Sequence, residues 1–316
     1  MIEPAARRLA ALTGSEIRDA ICYSGYRRGQ SPRTGVYPSY EQIKQDLAIV
    51  RRHWGVIRIY DCSPHGITTL EVVRNEYPDL RVLIGADLAP EIFNRNCSWA
   101  KPLTEAQLSE NRRRNDAQIR HVAATAAAYA DVVLGVSAGN EVTVDWTEHL
   151  VPTERVAGFL RYLKQNQPRP VTLCDNNVPW QGKLRDLVPL ADFISIHSYP
   201  AWLSVPVQEA LAWTAREYQE IAELYPDKPV IITEAGWTTT SSGRGIRRED
   251  ANPANQAIYC RELAAWSRKQ GVPVFLFEAF DEPWKGSDVP DEPEKHWGFF
   301  NEDRTPKPVM AGYPSR

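Results

Sequence analysis

The chain has 316 residues and a net charge of −3, from 37 basic and 40 acidic side chains. This balance gives no reason to expect nucleic acid or another polyanion as a partner, and a neutral polymer or a small molecule fits better. Five cysteines, an odd number without a C-x-x-C spacing, indicate neither a disulfide framework nor a zinc site.

Short apolar runs recur along the chain, and each is followed by a segment with helical periodicity. They predict eight strands: Ala20–Ser24, Val56–Tyr60, Arg81–Ala86, Val132–Ala138, Pro170–Cys174, Phe193–His197, Pro229–Thr233 and Pro273–Phe277. Helices are predicted between them, including Tyr40–His53, Glu105–Tyr129, Val205–Tyr225 and Asn255–Gln270. The strands are apolar on both faces, as expected where helices cover a parallel sheet.

Eight strands alternating with helices predict an α/β fold, a (β/α)8 TIM barrel forming a single domain over residues 1–316. A doubly wound open sheet is the main alternative, but no G-x-G-x-x-G follows the first strand. The first 20 residues lack the apolar core of a signal peptide, and no stretch reaches the roughly 20 apolar residues of a membrane span. We therefore expect a soluble chain without a membrane span, and a monomer.

Polar and aromatic residues end or directly follow each of the eight predicted strands. They include Tyr23, Tyr60, Asp87, Asn140, Glu141, Asp175, His197, Tyr199, Glu234, Trp237, Glu278, Asp281 and Lys285. In (β/α)8 enzymes the chemistry lies at the carboxyl ends of the strands. Stability alone gives no reason for this clustering, so an active site is predicted there.

Two carboxylates stand out, Glu141 after strand four and Glu234 after strand seven. These strands lie nearly opposite each other in an eight-stranded ring. Two carboxyls about 5–5.5 Å apart cleave a glycosidic bond with retention, and a separation of about 6.5–9.5 Å gives inversion; the sequence leaves the distance open. Either residue alone is explained by a salt bridge at a strand end. Their joint placement, with Asn140 directly before Glu141, favours a catalytic pair.

Aspartates also follow several strands, which would be compatible with a metal. They are Asp61, Asp87 and Asp175. Neither a His-x-His pair nor a His-Glu-x-x-His motif accompanies them, so we expect no metal and no cofactor.

Three segments resemble glycoside hydrolase family 17: GVSAGNEVTV (135–144), VIITEAGWTTTSS (230–242) and FEAFDEPWK (277–285). That family contains β-1,3-glucanases and β-1,3-glucanosyltransferases whose acid/base and nucleophile follow strands four and seven. GVYPSYEQIKQDLAIV (35–50), IRIYDC (57–62) and HWGFFNEDRTPK (296–307) are also similar to the family, so the resemblance covers nearly the whole chain. Ala235 after the nucleophile and the FEAFDEPWK segment resemble bacterial and fungal members more than plant ones.

The resemblance implies that Glu141 is the general acid/base and Glu234 the nucleophile. It places Asn140 on the sugar 2-hydroxyl, and Tyr23 and Tyr60 near the subsite before the cleavage point. It assigns Glu278 and Lys285 to a polar cluster after strand eight. The further expected substrate contacts are His197, Tyr199, Trp237, Asp281 and Trp297. Of these residues, His197, Tyr199 and Lys285 are the expected donors that keep Glu234 ionised.

The expected function is a retaining hydrolase acting on β-1,3-glucan through a covalent glycosyl-enzyme intermediate. A β-1,3-glucanosyltransferase using the same two glutamates is the first alternative, because the intermediate is identical. A non-catalytic glucan-binding protein and a metal-dependent barrel hydrolase are further alternatives. The expected partner is a β-glucan polysaccharide or oligosaccharide, which implies the periplasm or the exterior if a leader has been removed.

Overall fold

The strands of the molecule close into a ring. The computed structural model describes residues 4–17 and 19–316. Eight parallel strands pair in chain order, and the last pairs with the first. They are β1 (Ala20–Cys22), β2 (Val56–Arg58), β3 (Arg81–Ile84), β4 (Val133–Asn140), β5 (Val171–Asn176), β6 (Ile194–Ser198), β7 (Val230–Gly236) and β8 (Val274–Phe277). The predicted (β/α)8 barrel is thereby confirmed.

One helix precedes β1, and the others connect the strands around the outside of the barrel. They are α1 (Ala5–Thr13), α2 (Tyr40–Val50), α3 (Pro64–Glu76), α4 (Glu105–Ala128), α5 (Thr153–Asn166), α6 (Asn177–Gln181), α7 (Val207–Leu224) and α8 (Pro253–Gln270). No helix among the described residues is both long and apolar enough to cross a membrane. That the chain is one domain over 1–316 stays a prediction, since positions 1–3 and 18 lie outside the described residues.

Local sequence explains where the helices begin. Ser39 and Thr104 form capping boxes with Gln42 and Gln107, which satisfy backbone amides at the starts of α2 and α4. Pro253 occupies the first turn of α8, where its missing N–H is not needed. The amphipathic faces then pack inward against the strands.

The strands differ from their predicted bounds mainly at the carboxyl ends. β7 continues three residues beyond Thr233 and includes Glu234, and β4 continues to Asn140. The polar residues there take part in the ladder, as His197 of β6 pairs in register with Glu234. Register shifts occur beside these positions, between Ile196 and His197 and between Ser137 and Asn140. Such irregularities redirect side chains at the end of a strand.

The segment after β8 closes the carboxyl-terminal face through a buried ion pair. Lys307 donates to Asp281 Oδ1 at 2.6 Å, to Thr239 Oγ1 at 2.9 Å and to the His296 carbonyl at 3.1 Å. The same Asp281 oxygen accepts from the Gly298 amide at 2.9 Å. Through Oδ1, Asp281 therefore holds the segment in place, while its expected contact with substrate stays a prediction.

Replacing Asp281 by alanine should therefore destabilise the protein. The ammonium of Lys307 would stay buried without its partner, and breaking a buried pair in this way costs about 3–5 kcal/mol. The free energy of unfolding in urea measures the loss. Asp131→Ala is the control, because its ion pair with Arg74 is exposed and such pairs contribute below about 1 kcal/mol. Equal losses in the two variants would contradict the structural role of Asp281.

Candidate active site

Glu141, Glu234 and His197 meet at the carboxyl end of the barrel. One carboxylate oxygen from each glutamate and a ring nitrogen of His197 all lie within 4.8 Å of one another. His197 Nδ1 lies 2.8 Å from Glu141 Oε1 and 3.6 Å from Glu234 Oε2. The structure therefore brings together the two carboxylates that the sequence singled out.

Glu141 follows the last residue of β4 in an unusual backbone conformation. Its φ angle is +47°, in the left-handed region that residues other than glycine rarely adopt. Its amide donates to the Cys174 carbonyl at 2.9 Å, which fixes the turn to β5. The side chain is 28% exposed, against 7% for Glu234. The turn thus leaves Glu141 accessible at the barrel mouth, and such strained residues concentrate at functional sites.

Glu234 lies deeper and is surrounded by donors. Arg58 Nη1 donates to Glu234 Oε1 at 2.5 Å, and the Tyr199 hydroxyl donates to Oε2 at 2.6 Å. Burial opposes ionisation, but the charges of His197 and Arg58, with hydrogen bonds from Tyr199 and Arg58, lower the pKa of Glu234 to about 2. Glu234 is therefore a carboxylate throughout the neutral range.

Arg58 is a site residue that the sequence analysis missed. It extends from β2 into the barrel, donates to the Thr233 carbonyl at 3.2 Å and hydrogen-bonds Asn140 Oδ1. Its guanidinium lies 4.5 Å from the ring centroid of Tyr60. Lys285, one of the expected donors to Glu234, instead pairs with Glu278 and Glu282. The sequence offered one signal for Arg58: it is a charged residue inside an apolar strand, and a buried charge requires a partner.

His197 is completely buried between the two carboxylates, so its side chain has no surface for the direct contact with substrate that the sequence led us to expect. Burial lowers its pKa, but the charge of Glu234, together with hydrogen bonds to Cys174 and Glu141, outweighs this effect and raises the pKa to about 10. The imidazole is therefore a cation at neutral pH. It donates Nδ1–H to Glu141 and adds positive charge beside Glu234.

The polar cluster after β8 is built around Lys285. Its Nζ lies 2.9 Å from Glu278 Oε2 and 2.5 Å from Glu282 Oε2. Burial, reinforced by the charge of Glu282, raises the pKa of Glu278 well above its usual range. Burial also opposes ionisation of Glu282, but Lys285 and hydrogen bonds, including one from Ser24, hold its pKa below the usual value. Of the two carboxyl groups, Glu278 therefore has the higher pKa.

Glu294 is a further acidic residue that the sequence analysis missed. Burial, opposed by Lys285 and reinforced by the charges of Glu141 and Glu234, raises the pKa of Glu294 to about 7. It lies in the segment 286–296 after β8, which is rich in proline and charged residues.

The expected aromatic contacts divide into two groups. Tyr60 and Tyr199 are partly accessible at the barrel mouth, as is Asn140. Trp237 and Trp297 are 0% exposed, and Tyr23 is equally buried. Those three have no surface to offer a sugar, so the structure assigns them to packing, a correction to the expected direct contacts.

The buried aromatic residues hold neighbouring groups in place. Trp237 donates its indole N–H to the Asp250 carbonyl at 2.8 Å. Trp297 packs against Tyr199 with ring centroids 5.2 Å apart, and against Phe277 at 5.8 Å. Trp297 therefore supports the tyrosine that hydrogen-bonds Glu234.

Among the described residues, Glu141, His197 and Glu234 are also the one group whose donor atoms are close enough to surround a cation. Two positive charges already lie beside these carboxylates: the Arg58 guanidinium and the His197 imidazolium, which the raised pKa of His197 favours. A metal ion would have to displace both interactions. The absence of a metal requirement stays a prediction.

Comparison with known proteins adds to this geometry. Residues 20–298 match the family model described as the BtgE/BtgC glycoside hydrolase domain. A probable glucan endo-1,3-beta-glucosidase btgC of Aspergillus fumigatus is 23% identical over 297 residues, covering 86% of this chain and 40% of the relative. A glucan 1,3-beta-glucosidase of Arthroderma benhamiae is 29% identical over 126 residues, covering 36% of this chain and 41% of the relative. The chain thus spans about two fifths of the length of these curated relatives.

Solved structures show the same fold. An endo-laminarinase from Formosa Hel1_33_131 has a TM-score of 0.78 and 21% identity, covering 95% of this chain and 87% of that chain. A glycoside hydrolase family 17 beta-1,3-glucanosyltransferase from Rhizomucor miehei has a TM-score of 0.70 and 18% identity. The match covers 92% of this chain and 95% of that chain.

Removing the charge of Arg58 should change the pH dependence of activity. In Arg58→Met the pKa of Glu234 should rise from about 2 towards its ordinary value, so the acidic limb of kcat/KM, which reports free-enzyme groups, should move to higher pH. The rate at the optimum should fall by on the order of a hundredfold, as when other preorganised charge-stabilising donors are removed. Thermal unfolding shows whether the variant is folded.

Arg51→Met is the matched control, because Arg51 forms an exposed ion pair with Asp79. A folded Arg58→Met protein with an unchanged acidic limb would contradict the role given to this arginine.

Proposed function

The chain belongs to the BtgE/BtgC glycoside hydrolase domain family, and from this premise we propose that it hydrolyses β-1,3-glucan with retention of anomeric configuration. The observation that carries the proposal is the distance between the carboxylates. Oxygens of Glu141 and Glu234 lie within 4.8 Å. This spacing is close to the roughly 5–5.5 Å of retaining enzymes and leaves no room for the water that inverting enzymes place across about 6.5–9.5 Å.

Glu234 is the nucleophile in this proposal. Its ionised oxygen attacks the anomeric carbon while the bond from that carbon to the leaving sugar oxygen breaks. Arg58 and Tyr199 each hold one oxygen of the carboxylate, so the attacking group is oriented before substrate arrives. Preorganisation of this kind lowers the barrier because little reorganisation is needed during the reaction.

Glu141 is the acid/base. Its greater exposure suits a group that must reach the glycosidic oxygen, protonate it, and then take a proton from water in the second step. The Nδ1–H of His197 lies beside it throughout. Formation of the ester removes the charge of Glu234, the largest influence raising the pKa of His197. The pKa of His197 therefore falls in the intermediate, when Glu141 acts as base.

The substrate assignment rests on the relatives and on the site. The curated relatives bear the names of enzymes that act on 1,3-β-glucan, and an active-site mutant of the Rhizomucor miehei enzyme is described in complex with laminaritriose. Asn140, Tyr60, Tyr199 and Lys285 keep accessible surface and are the residues that we propose to surround the sugars, whereas Glu278 is buried and pairs with Lys285. We further propose a monomer that works without a metal, outside the cytoplasm, where such a polymer is found.

Transfer to a sugar hydroxyl is the second candidate. The glycosyl-enzyme is the same, and the fold is shared with a beta-1,3-glucanosyltransferase as well as with an endo-laminarinase. The outcome depends on whether water or a sugar occupies the space beside Glu141 when the ester is attacked.

The unmodified protein should release shorter products from laminari-oligosaccharides, and proton NMR should show the β anomer first because two displacements restore the configuration. Laminarin should be cleaved in preference to cellulose and to mixed-linkage glucan. Addition of EDTA should leave the rate unchanged. Initial appearance of the α anomer would contradict retention, and preferential cleavage of cellulose would contradict the substrate.

A further inference from the structure

Asp175 is a buried carboxyl group to which the proposed reaction gives no task. It lies near the end of β5 and is 0% exposed. The hydrogen bonds that it accepts come from uncharged groups. A buried carboxylate without a cationic hydrogen-bond partner is costly, so it persists only where the hydrogen bonds around it compensate. The partners of Asp175 therefore indicate what it does.

These partners belong to the turn that follows Glu141. Oδ2 of Asp175 accepts from the Thr143 amide at 3.1 Å and from the Thr143 hydroxyl at 2.8 Å. Its Oδ1 accepts from the Asn176 amide at 2.8 Å. Both oxygens act as acceptors at once, which a carboxylate allows and a side-chain amide with a single oxygen does not. Asp175 thus fastens the chain two residues beyond Glu141 to the end of β5.

Two further contacts hold the same turn. The Cys174 carbonyl, directly before Asp175, accepts from the Glu141 amide at 2.9 Å. The Thr143 carbonyl accepts from Lys183 Nζ at 2.5 Å. The turn is therefore attached to β5 at Glu141 and again at Thr143, and Thr143 is held through its side chain and its backbone.

Glu141 needs this attachment because its backbone is strained. A φ of +47° is unfavourable for a residue that has a Cβ, and it persists only where the surrounding structure compensates. The same conformation decides where the carboxyl group of Glu141 lies at the barrel mouth. A catalytic group displaced by about 1 Å loses on the order of a hundredfold in rate, so the contacts that fix the turn matter to the reaction.

Asp175 and Glu141 also interact electrostatically. Burial and, after it, the charge of Glu141 raise the pKa of Asp175 to about 7. Hydrogen bonds from Thr143 and Asn176 and the charge of His197 oppose this rise. The two carboxyl groups are therefore linked through space as well as through the turn.

We propose that Asp175 is a positioning residue for the acid/base, fixing through Thr143 the strained turn that presents Glu141 to the glycosidic oxygen. The inference rests on the proposed function. Asp175 is covered and does not touch substrate, so it acts through Glu141. Its loss should impair the two events that need Glu141, which are protonation of the leaving oxygen and removal of a proton from water. Attack by Glu234 should be spared.

Two substrates separate these events. The sugar leaving group of laminarihexaose needs a proton, whereas 2,4-dinitrophenolate leaves without one. In Asp175→Ala, kcat/KM should fall by about a hundredfold for laminarihexaose and by less than about twofold for 2,4-dinitrophenyl β-laminaribioside. With the aryl substrate kcat should fall, because attack of water on the ester then limits turnover. Azide should restore it, since azide needs no base.

Thr143→Val tests the connection without removing the carboxyl group. Valine has the shape of threonine but lacks its hydroxyl, so kcat/KM for laminarihexaose should fall by about tenfold while the aryl substrate is spared. Thr143→Ser keeps the hydroxyl and should restore the unmodified values. Thr172→Val is the matched control, because Thr172 is equally buried on β5 and donates to the Phe193 carbonyl at 2.8 Å. It should lower the Tm without separating the two substrates.

A double variant distinguishes positioning of Glu141 from a general structural role. In Glu141→Ala, the further change Asp175→Ala should cause no additional loss with laminarihexaose, because the group that it positions is already gone. Thermal unfolding identifies the folded variants, and the Thr143 pair decides the question if Asp175→Ala does not fold.

Equal losses on both substrates, no loss on either, or no recovery in Thr143→Ser would overturn the positioning role, while cleavage by the unmodified protein would leave the proposed function standing. If the unmodified protein cleaves neither substrate, the proposed function fails, and the inference about Asp175 fails with it.

Discussion

Arg58 and Glu234 form an ion pair in a place that water barely reaches, with side chains 2% and 7% exposed. Transferring two such charges out of water costs several kcal/mol for each ion, and their attraction offsets this only when the remaining hydrogen-bonding groups are satisfied. Here the Thr233 carbonyl and Asn140 accept the remaining hydrogen bonds of the Arg58 guanidinium, and the Tyr199 hydroxyl donates to the Glu234 carboxylate. The pair therefore holds β2, β4 and β7, and the segment directly after β6, in one geometry.

This constraint links the stability of the barrel to its proposed chemistry. The positive charges that make burial of Glu234 tolerable are also the ones that keep it ionised for attack. His197 shares in this role and connects Glu234 to Glu141 through a single ring nitrogen. A charge change at one carboxylate is thus felt at the other, as a double displacement requires when the same residue acts first as acid and then as base.

The sequence predicted the architecture and the two central glutamates because both leave local signals. Apolar runs mark buried strands, and a polar residue directly after such a run marks the catalytic end of a barrel. Arg58 was missed because it lies between Ile57 and Ile59 in a run that resembles an ordinary buried strand. The exposure of each tryptophan was harder to predict from the sequence, because it depends on how loops that are distant along the chain pack together. Trp297 is covered, whereas Trp146 remains exposed.

The central claim is that Glu234 becomes covalently attached to the sugar, and trapping that ester tests it most directly. A 2-deoxy-2-fluoro-β-laminaribiosyl fluoride should form the intermediate quickly, because fluoride leaves readily, and should release it slowly. Mass spectrometry of the inactivated protein should show one added laminaribiosyl unit, and peptide mapping should place it on Glu234. Attachment to Glu141 or another residue, or turnover with no accumulating adduct, would contradict the account.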